Sequence, residues 1–177
     1  MSHHLFGGLR FGAMLVIFFI RDLIRPRRRI LNEAAVRTGA TVVDFGCGTG
    51  SYTLAVAEMV GPSGRVCAID RDPAAVRRVR HLATRHRLAH VVVVHSDCGT
   101  GLDDATVDLA LLTDALHLLT EPERVLAELG RVLKPSGMLL CNDHHLSDGD
   151  LVRRVTESGG FRLARKGRWA HFFATQQ

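Results

Sequence analysis

The sequence predicts an α/β fold organised around a doubly wound, mostly parallel sheet. Short apolar runs of strand length alternate with longer segments in which apolar residues recur with a helical period. This alternation is typical of parallel sheets covered by helices on both faces. Three of the apolar runs end in an aspartate, at Asp44, Asp70 and Asp97. Alternating glycines follow the first run, and they leave room for a ligand to lie against the backbone.

The predicted elements follow one another along the chain with short connections. Strands are expected near 41–45, 65–69, 91–95, 107–113 and 138–142, and helices near 51–60, 73–87, 121–133 and 148–158. Right-handed crossovers between the strands give the doubly wound arrangement. Thr120, with Glu123 three residues later, predicts a capping box at the start of one helix. The tail from Phe161 to Thr175, around Lys166–Gly167, predicts a hairpin.

Composition and charge limit the classes of protein to which this chain can belong. The chain has 177 residues, 46% of them hydrophobic, which suits one domain with a single core. Its four cysteines form no C-x-x-C motif, so we expect neither a zinc ribbon nor a redox motif, and no bound metal. With no secretory signature, we expect a cytoplasmic location.

The net charge of +5 comes largely from arginines within 25–29 and 77–87. The second cluster is the outer face of a predicted helix, and aromatic residues are sparse, so we expect no nucleic-acid partner.

The glycine turn predicts a nucleotide-type site and limits which nucleotide it holds. The dinucleotide fingerprint G-x-G-x-x-G would need its third glycine where Ser51 stands. Asp44 lies two residues before Gly46, where it would repel a pyrophosphate and suit a ligand with an amino group or a sulfonium. The following helix would point its free N–H groups at the same ligand.

This motif resembles the first motif of the class I S-adenosylmethionine (SAM)-dependent methyltransferases. Asp70 follows about 20 residues after the glycine turn, where a ribose-hydroxyl acceptor is placed. Asp97 matches the acid that contacts the adenine amino group in that family. The resemblance runs from about Thr41 to about Asp143. It implies a Rossmann-like sheet with an added antiparallel strand from the C-terminal hairpin, SAM as cofactor and S-adenosylhomocysteine as product. The cofactor-binding residues that it implies are Asp44, Gly46, Cys47, Gly48, Gly50, Tyr52, Thr53, Asp70, Arg71, Ser96, Asp97, Cys98 and Thr113.

The resemblance also implies methyl transfer to a small-molecule acceptor by in-line displacement, with a base wherever the acceptor arrives protonated. Candidate catalytic residues follow the fourth and fifth predicted strands: Asp114 and His117, then His144 and His145. His117 is favoured as the base, with packing or a cofactor-edge contact as the alternative. Neighbours in an extended segment point oppositely, so at most one of His144 and His145 is expected to face the site. A metal site using Asp114, His117, Asp143 and one of these histidines is ranked below the base.

Two other functions stay open at this point. One is a SAM-binding protein without turnover, and the other is a metalloid methyltransferase in which Cys98 and Cys141 hold an arsenite-like acceptor. The sequence divides into an N-terminal region, 1–40, and a SAM-binding domain, 41–177. The apolar segment 11–24 is too short, between charged residues, to span a bilayer. It is predicted to be a helix that covers the cofactor site, or alternatively an interfacial helix that contacts a membrane through residues 11–29. The oligomeric state stays open.

Overall fold

The computed structural model describes residues 27–176. The two interpretations of the segment 11–24 therefore lie outside the described residues and stay predictions. In chain order the described elements are α1 (Arg27–Glu33), β1 (Thr41–Phe45), α2 (Ser51–Val60), β2 (Arg65–Asp70), α3 (Pro73–Arg85), β3 (Val91–His95), β4 (Val107–Thr113), a 3₁₀ turn (Leu116–Leu118), α4 (Pro122–Val132), β5 (Leu133–Asn142), α5 (Asp148–Glu157), β6 (Phe161–Lys166) and β7 (His171–Thr175). Within residues 27–176, no helix is long and apolar enough to cross a membrane.

The strands of this part of the chain form one sheet in the order β3-β2-β1-β4-β5-β7-β6. The first five strands run parallel to their neighbours, and β7 pairs antiparallel with both β5 and β6. These observations confirm the predicted doubly wound, mostly parallel sheet and its C-terminal antiparallel hairpin. The strand order reverses between β1 and β4, and open α/β sheets bind ligands at the carboxyl ends of the strands beside such a reversal.

Alternate side chains of each strand supply two apolar cores, one on each face of the sheet. On β1, Val43 packs with α4 and α5, whereas Val42 packs with α1 and α2. Helix α1 belongs to the segment that the sequence assigns to a separate N-terminal region, yet its Ile30 and Leu31 are buried in the second core. The end of that segment is therefore packed against the same sheet as the rest of the described chain.

The start of α4 differs from the prediction. The helix begins at Pro122, and its cap residue, Glu121, makes no side-chain cap hydrogen bond. Thr120 instead accepts a hydrogen bond on Oγ1 from a guanidinium nitrogen of Arg71, at 3.0 Å. The capping-box prediction at Thr120 and Glu123 is thus wrong, because Pro122 fixes the helix start one residue late for that pairing.

Candidate functional site

A cleft of about 290 Å³ opens at the carboxyl ends of β1, β2 and β4, beside the reversal in strand order. Two backbone segments bound it, the glycine turn after β1 and the 3₁₀ turn after β4. Nine of the predicted cofactor residues line it: Gly46, Cys47, Gly48, Tyr52, Asp70, Arg71, Ser96, Asp97 and Thr113. Asp114, predicted as catalytic, lines it as well. The sequence prediction and the structure therefore place these residues at one cleft.

Glycine is required in the turn for two different reasons. Gly46 has φ +75°, and a Cβ there would lie 2.7 Å from the Cβ of Ala115, closer than side-chain atoms tolerate. This approach brings the turn after β1 against the start of the turn after β4. Gly50 has φ +80°, and its added Cβ would lie 3.0 Å from Val79 on α3. Gly50 therefore allows the turn to pack on α3, and it does not itself line the cleft.

Asp70 joins the glycine turn to the end of β2. Its Oδ2 accepts a hydrogen bond from the Gly48 N–H, and its Oδ1 accepts one from the Asp72 N–H, each at 2.8 Å. A carboxylate oxygen can accept more than one hydrogen bond, so both oxygens keep capacity for donors in the cleft. The carboxylate is thus held in place by the backbone and can still accept hydroxyl groups from a ligand.

Asp44 is fully buried next to the turn and does not reach the cleft wall. Its Oδ2 accepts a 2.5 Å hydrogen bond from the Thr53 hydroxyl, while its Oδ1 has no hydrogen-bond partner among residues 27–176. Burial raises the pKa of Asp44 to about 6; the Thr53 hydrogen bond lowers it, and the charge of Asp70 raises it further. A buried carboxylate with an unpartnered oxygen is costly by itself and is stabilised by a nearby positive charge.

Four of the predicted cofactor residues, Asp44, Gly50, Thr53 and Cys98, do not line the cleft. Thr53 is buried and serves Asp44, and the Cys98 thiol lies 3.9 Å from a carboxylate oxygen of Glu121. The cleft wall also includes residues that the prediction did not name: Phe45, Thr49, Ser51, Asp72, Ala75, Ala115, Leu118 and Leu119. Thr49 and Ser51 flank Gly50, so their position beside the glycine motif was an available signal. Leu118 ends the 3₁₀ turn and Leu119 follows it, and nothing in the sequence directs this turn towards the cleft.

The predicted catalytic histidines lie together in a cluster beside the cleft, although none of them lines it. Nδ1 of His117 is 2.8 Å from Oδ2 of Asp143, and Nδ1 of His144 is 2.6 Å from Oδ1 of Asp114. The His145 ring contacts both other rings, with centroids 4.1 Å from His117 and 4.0 Å from His144. Asp114 is the member that belongs to both the cluster and the cleft wall. The cluster therefore meets the cleft at Asp114.

The expectation that at most one of His144 and His145 faces the site stays a prediction, but the alternation of side chains along a strand does not support it. Residues 143–147 form a turn after β5, and the two imidazoles lie against each other on the same side of it. Asp143 stabilises this turn, because its Oδ1 accepts a hydrogen bond from the His145 N–H at 3.1 Å. Strand alternation does not apply where the backbone has left the sheet.

Possible ligand atoms of Asp114, Asp143 and His144 lie within 4.8 Å of one another, close enough for one ion. In the described residues each of these side chains already has a hydrogen-bond partner within the cluster. Neither cysteine of the metalloid alternative lines the cleft. Cys141 is fully buried in β5, and burial raises the pKa of its thiol, so the thiolate that would bind arsenite is disfavoured.

Comparisons with known proteins agree with this geometry. A family model described as a methyltransferase domain matches residues 37–171. A demethylmenaquinone methyltransferase from Geobacillus sp. (strain WCH70) is 28% identical over 142 residues, which are 78% of this chain and 61% of that protein. One from Staphylococcus aureus (strain JH9) is 31% identical over 116 residues, which are 65% of this chain and 47% of that protein. The chain thus spans about half to three fifths of the length of these curated relatives.

Among solved structures, a SAM-dependent methyltransferase from Aquifex aeolicus superposes with a TM-score of 0.72 and 28% identity. The match covers 85% of this chain and 87% of that one. Together with the family model, it confirms the resemblance that the motifs around Asp44, Asp70 and Asp97 predicted.

Proposed function

This chain belongs to the methyltransferase-domain family, and we propose that it transfers a methyl group from SAM to a small-molecule acceptor. The observation that carries the proposal is the pairing of two acids at one turn. Asp70 presents a carboxylate to the cleft, and Asp44 stands buried beside it with one unpartnered oxygen. A ligand with ribose hydroxyls and a positive charge would use both.

The cleft residues fit SAM on three counts. Asp70 would accept hydrogen bonds from the ribose hydroxyls, and Asp97 would contact the adenine amino group, as the family resemblance implies. Gly46 and Gly48 line the cleft and have no side chain, so a ligand can lie against their backbone. Asp44 supplies negative charge for the amino and sulfonium groups. Bound SAM supplies a methyl group that its sulfonium already activates, so the chain has to align the acceptor, exclude water and take a proton where one is released.

The acceptor is proposed to place its nucleophilic atom in the cofactor cleft, next to the histidine cluster, because in-line transfer requires that atom to contact the methyl carbon. A second cavity, of about 310 Å³, is bounded by Asn142–His144, the start of α5 and the hairpin turn Lys166–His171. Asp114 lines the cofactor cleft, His144 lines this second cavity, and their hydrogen bond of 2.6 Å joins the two walls. The cluster therefore provides four groups that could take a proton from an acceptor close to the cleft: Asp114, His117, His144 and His145.

The acceptor class is proposed from the relatives. Two of them are demethylmenaquinone methyltransferases, so a quinol with an activated ring carbon is the first acceptor to test. The test incubates the protein with SAM carrying a labelled methyl group and a panel of small acceptors that begins with demethylmenaquinone. Labelled product and S-adenosylhomocysteine formed in equal amounts would support the proposal. SAM binding without formation of S-adenosylhomocysteine from any acceptor would favour the non-catalytic alternative.

A cytoplasmic location, and membrane contact through residues 11–29, stay predictions.

We expect the chain to bind SAM and S-adenosylhomocysteine in preference to NAD. Asp44 would repel a pyrophosphate close to the turn, and Ser51 stands where the dinucleotide fingerprint has its third glycine. Isothermal titration calorimetry with each ligand measures the preference directly. Tighter binding of NAD would overturn the assignment of the cofactor.

Replacing Asp70 by alanine should weaken SAM binding at least tenfold. A hydrogen bond to a charged group contributes roughly 1.5–3 kcal/mol, and ~1.4 kcal/mol is one decade of affinity. The variant also loses the two backbone hydrogen bonds that hold Gly48 and Asp72 in place. Asp103→Ala, on an exposed loop, is the matched control and should bind SAM as the unaltered protein does. An unchanged affinity in a folded Asp70→Ala protein would assign the ribose contact to another residue.

A further inference from the structure

Two carboxylates in the histidine cluster hold their partners in the same way. Oδ2 of Asp143 accepts a hydrogen bond from the backbone N–H of His117 at 3.0 Å. The same oxygen lies 2.8 Å from Nδ1 of the His117 ring. Oδ1 of Asp114 accepts one from the backbone N–H of His144 at 3.2 Å and lies 2.6 Å from its Nδ1. One oxygen thus contacts both the backbone and the ring of the same histidine, which fixes where that ring can point.

The structure assigns Asp143 as the positioning residue of His117, which holds this imidazole as the Nδ1–H tautomer with the Nε2 lone pair turned away from the carboxylate. The inference rests on the proposed function for its role in catalysis, but the tautomer follows from the contacts alone. A carboxylate only accepts hydrogen bonds, so the ring nitrogen facing it must carry the proton. The remaining nitrogen, Nε2, is then the basic one.

Asp143 is built to stay ionised in this position and is not itself available as a base. Its side chain is 0% exposed, so an acceptor cannot reach it. Burial alone would raise its pKa, but the hydrogen bonds from the His117 ring, the His117 backbone and the His145 backbone outweigh that effect, and the pKa is lowered. The His117 side chain is 21% exposed, so its ring remains open to a ligand.

The roles in the proton transfer follow from this arrangement. As the acceptor's nucleophilic atom forms its bond to the methyl carbon, the carbon–sulfur bond breaks and its electron pair returns to sulfur. The proton of the acceptor passes to Nε2 of His117. The imidazolium that results has one N–H on Oδ2 of Asp143, whose negative charge stabilises it. His145 packs against the rings of both His117 and His144 and limits their rotation.

Long-range ¹⁵N–¹H correlation spectra of the histidine side chains test the tautomer without any acceptor. The sample is the full chain with S-adenosylhomocysteine and EDTA, at a pH where its imidazoles are neutral. We expect His117 and His144 to show a protonated Nδ1 and an unprotonated Nε2. Free neutral histidine favours the opposite tautomer, which the exposed His86 should show as an internal reference. An Nε2–H signal from His117 in the unaltered protein would overturn the inference.

Two matched variants then distinguish the Asp143–His117 pair from the Asp114–His144 pair. Asp143→Asn should change the signals of His117 and leave those of His144, whereas Asp114→Asn should do the reverse. With an acceptor that the unaltered protein methylates, Asp143→Asn should lower kcat roughly 10- to 10⁴-fold without changing the Kd for SAM. An altered tautomer with unchanged kcat would overturn the role in catalysis. If Asp143→Asn does not fold, the spectrum of the unaltered protein still decides the tautomer. If no acceptor is turned over, the proposed function fails while that measurement stands.

Discussion

Replacing His117 by alanine should lower kcat by about 10²–10⁴-fold and leave the affinity for SAM unchanged. The variant removes the proposed base that Asp143 orients, and it removes no atom from the cleft, because His117 does not line it. The measurement has two parts: single-turnover transfer of labelled methyl to the acceptor found in the screen, and calorimetric titration with SAM. A loss of rate with an unchanged Kd would identify a group that acts on the acceptor.

The controls for this variant come from other histidines of the chain. His86→Ala, at the exposed end of α3, should leave both parameters unchanged. His144→Ala is the direct competitor, since its ring is held by Asp114 and lines the second cavity. If His117→Ala retains full activity and His144→Ala does not, the base is His144 and not His117. Full activity in both variants would mean that the acceptor needs no base from this cluster.

The cleft of the candidate site was predictable because its sequence signals lie in or next to regular structure. Asp70 ends β2, and the register of the parallel strands brings it level with the turn that follows β1. The carboxyl ends of parallel strands meet at one edge, so acids spaced along the sequence become neighbours in space. The alternating glycines add a requirement for backbone conformation that only a few residue types satisfy. The local sequence pattern and the topology of the sheet therefore predict the same site.

The histidine cluster of the candidate site was predictable only as a region. That Asp114 and His117 would lie near His144 follows from the pairing of β4 with β5, where Thr113 is level with Asn142. Which atoms would meet depends on turns after those strands, and turns carry no periodicity. Asp114 has φ +51°, a left-handed conformation that aspartate tolerates better than most residues. Neither this conformation nor the turn at 143–147 has a sequence signal strong enough to give the two carboxylate–imidazole pairs in advance.

Replacing Asp44 by asparagine should make the folded protein more stable at neutral pH and weaken its binding of SAM. The pKa of Asp44 is about 6 in the folded protein and 3.8 for an ordinary aspartate. Its folded state therefore binds the proton more tightly, so the stabilising effect is greatest at low pH and is lost as the pH rises from about 4 to about 6. Above that range, keeping the carboxylate charged costs roughly 3 kcal/mol of the free energy of unfolding.

Asparagine removes this cost while its amide oxygen still accepts the hydrogen bond from Thr53. Because its buried NH₂ group has no assured partner, we expect a net gain of about 1–2 kcal/mol at pH 7.5 and little difference at pH 4.5. Urea unfolding at the two pH values, with and without SAM, measures both effects.

SAM should bind the variant roughly tenfold more weakly at pH 7.5, since the nearby negative charge is gone. The unaltered protein should lose affinity for SAM in the same way below pH 6. Asp103→Asn, on an exposed loop, controls for the loss of one charge. A variant that is less stable at pH 7.5 and binds SAM normally would show that Asp44 serves the fold alone. Greater stability with weaker binding would instead identify Asp44 as a charge that the fold maintains, at a cost in stability, for its cationic ligand.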